Sequence, residues 1–67
     1  MLGKFEDEYY DLVLNKVKTE SVAKNIVFKI IEDLTDRRGL EQQFNNFDDD
    51  IQEEIVSKWI EIVEKSL

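Results

Sequence analysis

Cysteine, histidine and proline are all missing from this chain, and glycine occurs only at positions 3 and 39. Without cysteine there is no disulfide and no thiolate ligand. Without histidine, zinc would have only carboxylates, which is not how structural zinc sites are built. The commonest general acid–base side chain is gone, and with it any Ser–His or Cys–His nucleophile. No Gly-rich phosphate loop is present. With no proline, almost nothing interrupts a periodic segment. Long apolar runs are also absent, so no stretch approaches the ~20 residues of a membrane span. Residues 1–4 are too short for the basic region of a secretory signal. These absences set the expectations: no enzyme, no cofactor, no metal, no membrane, and a cytoplasmic setting.

What remains is small and charged. Sixty-seven residues make one domain, 1–67, at most. A domain of this size buries only ~60% of its unfolded surface, so close helix packing, self-association or a partner has to supply stability. The net charge of −7 is uneven. Residues 1–31 hold five acidic groups and five lysines, whereas residues 32–67 hold eleven acidic and four basic groups. Such an acidic surface repels phosphate backbones, which argues against direct nucleic-acid binding. It attracts a basic protein surface, or it serves only to keep the domain soluble.

The most informative stretch is 48–67. At about 100° per residue, Ile51, Ile55, Val56, Trp59, Ile60, Ile62, Val63 and Leu67 fall on one half of a helical wheel. Glu53, Glu54, Ser57, Lys58, Glu61, Glu64 and Lys65 fill the other. Asp48, Asp49 and Asp50 read as the start signal, with Asp49–Gln52 and Asp50–Glu53 both at capping-box spacing. A calcium loop started at Asn46 fails, because Ile51 stands where Gly is needed and Ser57 where Glu is needed.

Earlier in the chain, residues 4–17 predict a first helix. Phe5, Tyr9, Leu12, Val13 and Val17 share its face, widened by Leu2, Tyr10 and Leu14. Tyr9 and Tyr10 point about 100° apart, so one of them belongs at the boundary. A break is expected at 18–21, where Thr19 and Ser21 are both good N-caps. Residues 21–38 predict a second helix with the stripe Val22, Ile26, Ile30 and Leu34, flanked by Ala23, Val27 and Ile31. Phe28 lies opposite that stripe, either as a lone exposed aromatic or as a contact with a second chain. Gly39 fits a left-handed helix stop, with Leu40 folding back toward Leu34. Arg37 and Arg38 then complement the helix dipole, or grip a phosphate or carboxylate. A short extra helix is expected at 40–45, after which Phe44 and Phe47 plug one end of the core. Favourably ordered i,i+4 pairs are Glu20–Lys24, Asp33–Arg37, Glu54–Lys58 and Glu61–Lys65.

The segment Leu34-Thr35-Asp36-Arg37-Arg38-Gly39-Leu40, followed by Phe44, Phe47 to Ile55 and Trp59, resembles short acidic helical proteins of phage and prophage genomes whose activities are mostly unassigned. The likeness lies in the Asp-Arg-Arg-Gly-Leu turn, the acidic cap and a Trp-containing last helix. It covers the C-terminal half, and Phe44 stands where that pattern has a Trp. The resemblance implies an accessory protein acting in a host cytoplasm, and supplies neither an activity nor functional residues.

The expected fold is therefore all-α, with three main helices (4–17, 21–38 and 49–66) and a short one near 40–45. The expected role is an acidic interaction module for a protein partner with a basic surface. Contact candidates are Phe28, Arg37, Arg38, Glu53, Glu54, Glu61 and Glu64. The alternative is a homo-oligomer, a homodimer in its simplest form, whose apolar faces pack across a symmetric interface.

Overall fold

The computed structural model describes residues 2–67. A 3₁₀ turn at Gly3–Phe5 leads into α1, Glu6–Asn15; α2 spans Val22–Thr35, α3 Leu40–Asn45 and α4 Asp49–Ser66. No strand occurs among the described residues, so the molecule is a small all-α bundle. Helices α3 and α4 lie where the periodicity puts them.

Helices α1 and α2 are both shorter than predicted. Asn15 ends α1 because Lys16 adopts the left-handed conformation (φ 60°) and the Val17 N–H folds back onto the Asp11 carbonyl at 3.0 Å. The break at 18–21 is held by side-chain hydrogen bonds. The Thr19 N–H donates to Asn25 Oδ1 (2.9 Å), and Asn25 Nδ2 donates to the Thr19 carbonyl (3.2 Å). Ser21 is the N-cap of α2, its Oγ accepting from the Lys24 N–H at 3.1 Å.

The end of α2 departs from expectation. The helix stops at Thr35, and the Asp36 and Arg37 N–H groups return to the last-turn carbonyls. Gly39 does take a positive φ (92°), but with ψ −56° it precedes α3 instead of closing α2. Its carbonyl accepts from the Gln43 N–H at 3.0 Å. Leu40 therefore opens α3 and stays half exposed, instead of standing just past the end of α2 as the predicted helix stop requires. Glycine's freedom is spent on redirecting the chain between two helices.

Which stripe each helix buries also differs. The inward face of α2 is Ala23, Val27, Phe28 and Ile31, while Val22 and Ile30 are 60% and 53% exposed. Phe28, expected on the outside, is wholly buried. Its ring sits edge-on to Phe5 (6.2 Å) and Tyr9 (5.9 Å). Three aromatics bury more apolar surface in one cluster than the Val22–Ile26–Ile30 stripe offers, so α2 turns its Phe28 flank to α1. Lys24 closes this seam, pairing with Glu8 at 3.1 Å in place of Glu20, with its ammonium 5.8 Å from the Phe5 ring centre. Phe5 of the 3₁₀ turn and Tyr9 and Leu12 of α1 are buried, whereas Tyr10 and Leu14 of α1 and Val17 beyond it are exposed.

Along α4 the buried residues are Gln52, Val56 and Ile60; Ile55, Trp59 and Val63 pack partly against the core. Gln52 is a buried polar hub. Its Oε1 accepts from the Leu2 N–H (2.8 Å), and its Nε2 donates to the Phe44 and Phe47 carbonyls (2.9 and 3.0 Å). One side chain thus ties the start of the chain, the end of α3 and α4 together, and every donor and acceptor involved is satisfied. With Gln52 so committed, the Asp49–Gln52 capping box does not form. Asp48 is the N-cap through its backbone alone, and the Asp50 carboxylate accepts from the neighbouring Ile51 N–H. Asp49 and Asp50 still place negative charge in the first turn of α4, where the dipole favours it.

Candidate interaction surface

Helix α4 is apolar around half its circumference, but one facing layer covers only about 100° of a helix. The remainder forms an outer stripe. Ile51 and Ile62 are 42% and 51% exposed, and Ile55 and Trp59 lie between them, partly buried. Trp59 stacks on Phe44 of α3, with ring centres 6.5 Å apart and planes 21° from parallel. Phe47, itself partly exposed, packs edge-on against Phe44 at 6.3 Å. A shallow depression on this flank is lined by Ile51, Glu54, Ile55, Lys58 and Trp59.

The acidic side of α4 borders this stripe. Asp50, Glu53, Glu54 and Glu61 line a neighbouring depression together with Lys4 and Lys58. Glu53 is half buried, with Lys4 Nζ 3.7 Å away and Gly3 close against its side chain. That packing keeps Glu53 from reaching back to Asp50, so the second capping box is also absent. Glu61 receives both lysines of α4, Lys65 at 3.0 Å and Lys58 at 3.7 Å. The hydrogen bond from Lys65, then the charge of Lys58, hold the Glu61 carboxyl below its ordinary range. The expected Glu54–Lys58 pair is not made, because Lys58 turns to Glu61. Glu54 and Glu64 are exposed and take part in no ion pair among the described residues.

Of the predicted contact residues, Glu53, Glu54, Glu61 and Glu64 thus all lie on α4, and the first three line one depression. Arg37 and Arg38 are exposed in the turn after α2. The Arg37 guanidinium donates to Asp33 at 2.9 and 3.4 Å, and this hydrogen bond raises its pKa. An arginine engaged in this way is a local brace, not an open anion grip. Phe28 is removed from the surface altogether, since it lies at the centre of the core.

The sequence places Ile51, Ile55, Trp59 and Ile62 on one apolar half of α4 and leaves open whether the chain or a second copy covers it, and none of the four is among the contact candidates it names. The signal that finds this surface is a ratio: seven apolar positions on one helix, against the narrower face that short partner helices cover. A second uncovered stripe, Val22, Ile26 and Ile30, runs along α2. Helix α2 carries Lys24, Lys29, Glu32 and Asp33 and is neutral overall, whereas α4 carries six acidic groups and two lysines. Among the described residues, no group of three or more carboxylates is arranged to hold a metal ion, and no helix is long and apolar enough to cross a membrane.

Comparison with known proteins finds no match among family models, curated proteins or solved structures.

Proposed function

We propose that this chain is a small acidic protein-interaction module, acting without catalysis, and that its partner is a protein with a basic surface. The observation that carries this reading is the outer flank of α4, where exposed Ile51 and Ile62 run beside Glu54 and Glu61. Contiguous apolar patches left uncovered, unlike single scattered side chains, mark interaction sites. The resemblance of residues 34–59 to phage and prophage proteins extends the reading to an accessory protein that modulates a host protein in the host cytoplasm.

Affinity capture from bacterial host lysate at low salt tests it. The expected result is one host protein retained by the wild type and released as salt rises. Recovery of nothing above background overturns the reading.

A second reading, a homo-oligomer, has its own support in the stripe Val22, Ile26 and Ile30. That stripe sits on a neutral helix, where two copies would meet without like-charge repulsion. Sedimentation across a wide concentration range separates the two. A strict monomer at high micromolar concentration removes self-association, and an Ile30→Asp variant that abolishes a dimer establishes it.

A further inference from the structure

We infer that the ridge Ile51–Ile55–Trp59–Ile62 is the docking site, and that its occupant is an amphipathic helix of another protein with Lys or Arg along the edge of its apolar face. This rests on the interaction-module reading above and gives that reading a place and a chemistry. Three observations on α4 support it.

The first is shape. The four side chains recur at i, i+4, i+8 and i+11, a straight ridge of about 16 Å at ~1.5 Å per residue. A second helix fits such a ridge into its own grooves, reading it through i, i+4 and i+7 anchors. An extended peptide would need a sheet edge, and no strand occurs among the described residues.

The second is anchoring. Trp59 is backed by Phe44 and tied to the core, so its ring is held in place before anything binds. A fixed aromatic flanked by aliphatic residues is the composition of interface hot spots.

The third is charge. Glu54 and Lys58 border the ridge directly, with Asp50, Glu53 and Glu61 on the acidic side beyond. Both lysines of α4 converge on Glu61, which leaves Glu54 without a cation. A basic edge on the partner supplies one. A second copy of this chain is the poorer occupant, because each copy carries −7 and would bring its own acidic edge to the contact.

Trp59 is the only tryptophan in the chain, so its emission reports occupancy directly. The probe is a synthetic amphipathic helical peptide of Leu and Lys. Its controls are a scrambled peptide of identical composition and a version with Glu in place of Lys. The expected result is a saturable blue shift with the Leu/Lys helix alone, weaker at about 0.5 M salt than at about 0.05 M. Ile51→Ser and Ile62→Ser, both at exposed positions, should each weaken binding about tenfold. Glu54→Lys should weaken it and make it less salt-dependent, and Ile30→Ser on α2 should leave it unchanged.

Equal binding by the scrambled peptide overturns the proposal, because charge alone would explain it. So does unchanged binding by the Ile51→Ser/Ile62→Ser double variant. A blue shift that grows with the protein's own concentration and vanishes in Ile62→Ser would make a second copy the occupant, and overturns it too. The lysate experiment separates the two levels. A host protein captured equally by wild type and double variant overturns this surface and leaves the module reading standing. Peptide binding with no host protein captured supports the surface and removes the host partner.

Discussion

The seam between α1 and α2 and the outer flank of α4 are built from similar residues, yet one is sealed and the other open. At the seam, Phe5, Tyr9 and Phe28 interlock edge-to-face, and the Lys24–Glu8 pair closes the rim. On α4, Ile51 and Ile62 remain about half exposed beside a row of carboxylates. Hydrophobicity alone does not separate them. What does is whether an opposing element offers complementary rings at the right spacing. The 3₁₀ turn and α1 present Phe5 and Tyr9 to Phe28, whereas about half of Ile62 stays uncovered by the described residues.

The strongest way to break this contrast is to truncate one residue on each side of α2. Phe28→Ala removes a fully buried ring and should cost ~3–5 kcal/mol. A core of this size supplies roughly that much in total, so the variant should be largely unfolded. Ile30→Ala, two positions along and facing outward, should cost about 1 kcal/mol or less. Urea titration followed by far-ultraviolet circular dichroism measures both. A larger loss for Ile30→Ala than for Phe28→Ala would mean that α2 packs by its predicted stripe.

Gln52→Leu comes next. It leaves the Leu2 N–H and the Phe47 carbonyl without their partner, while the Phe44 carbonyl keeps the Phe47 N–H at 3.2 Å. Each orphaned buried group costs ~1–3 kcal/mol, so a loss of at least ~2 kcal/mol is expected in the same titration. Amide exchange should quicken first at Leu2, the N–H that loses its acceptor. A neutral result would show that water replaces the amide and that the N-terminal segment is not tied down through α4.

These two positions also mark what was legible beforehand. The class of the fold and the spans of α3 and α4 follow from periodicity and from the near absence of glycine and proline, because those are local properties. Ser21, the break at 18–21 and the Asp33–Arg37 pair are local as well, and all three are present. Which stripe of α2 faces inward is not local. It depends on Phe5 and Tyr9, distant in sequence, so Phe28 was assigned to the surface and Ile30 to the core. Gln52 was invisible for a related reason: a glutamine between acidic residues reads as solvated until three backbone groups converge on it. The acidic contact candidates on α4 could be placed from the wheel. The ridge beside them could not, because an exposed isoleucine and a buried one are the same letter. Trp59 shows the cost of that ambiguity. Read as core it should lose ~3–5 kcal/mol on truncation to alanine, but as a partly covered ring it should lose nearer 2 kcal/mol. Calorimetric melting of Trp59→Ala beside Phe28→Ala orders the two.

A smaller effect with the opposite sign is expected at Lys16. This residue closes α1 in the left-handed region, where a side chain is disfavoured by about 1–2 kcal/mol relative to glycine. Lys16→Gly relieves that strain but frees the unfolded backbone, so a net gain of ~0.5–1 kcal/mol should appear as a higher melting temperature. A loss would show that Lys16 holds α1 through a side-chain contact.

The smallest effect tests the sealed seam from inside. Burial raises the Tyr9 hydroxyl above its ordinary pKa of 10.0, and the negative charge of Glu32 adds to this, while a hydrogen bond with the Thr35 side chain opposes it. A group whose pKa is raised on folding contributes stability that is fully present below its unfolded pKa. That contribution is lost as pH climbs through the folded value. Stability should therefore hold up to about pH 10 and then decline. Tyr9→Phe keeps the ring against Phe28 but has no proton to lose, so its stability should decline less over the same interval. Urea midpoints taken at steps from pH 8 to pH 11.5 or so give both curves. If they run parallel, the Tyr9 hydroxyl is hydrated in the folded chain, and the seam is as open at its edge as the flank of α4.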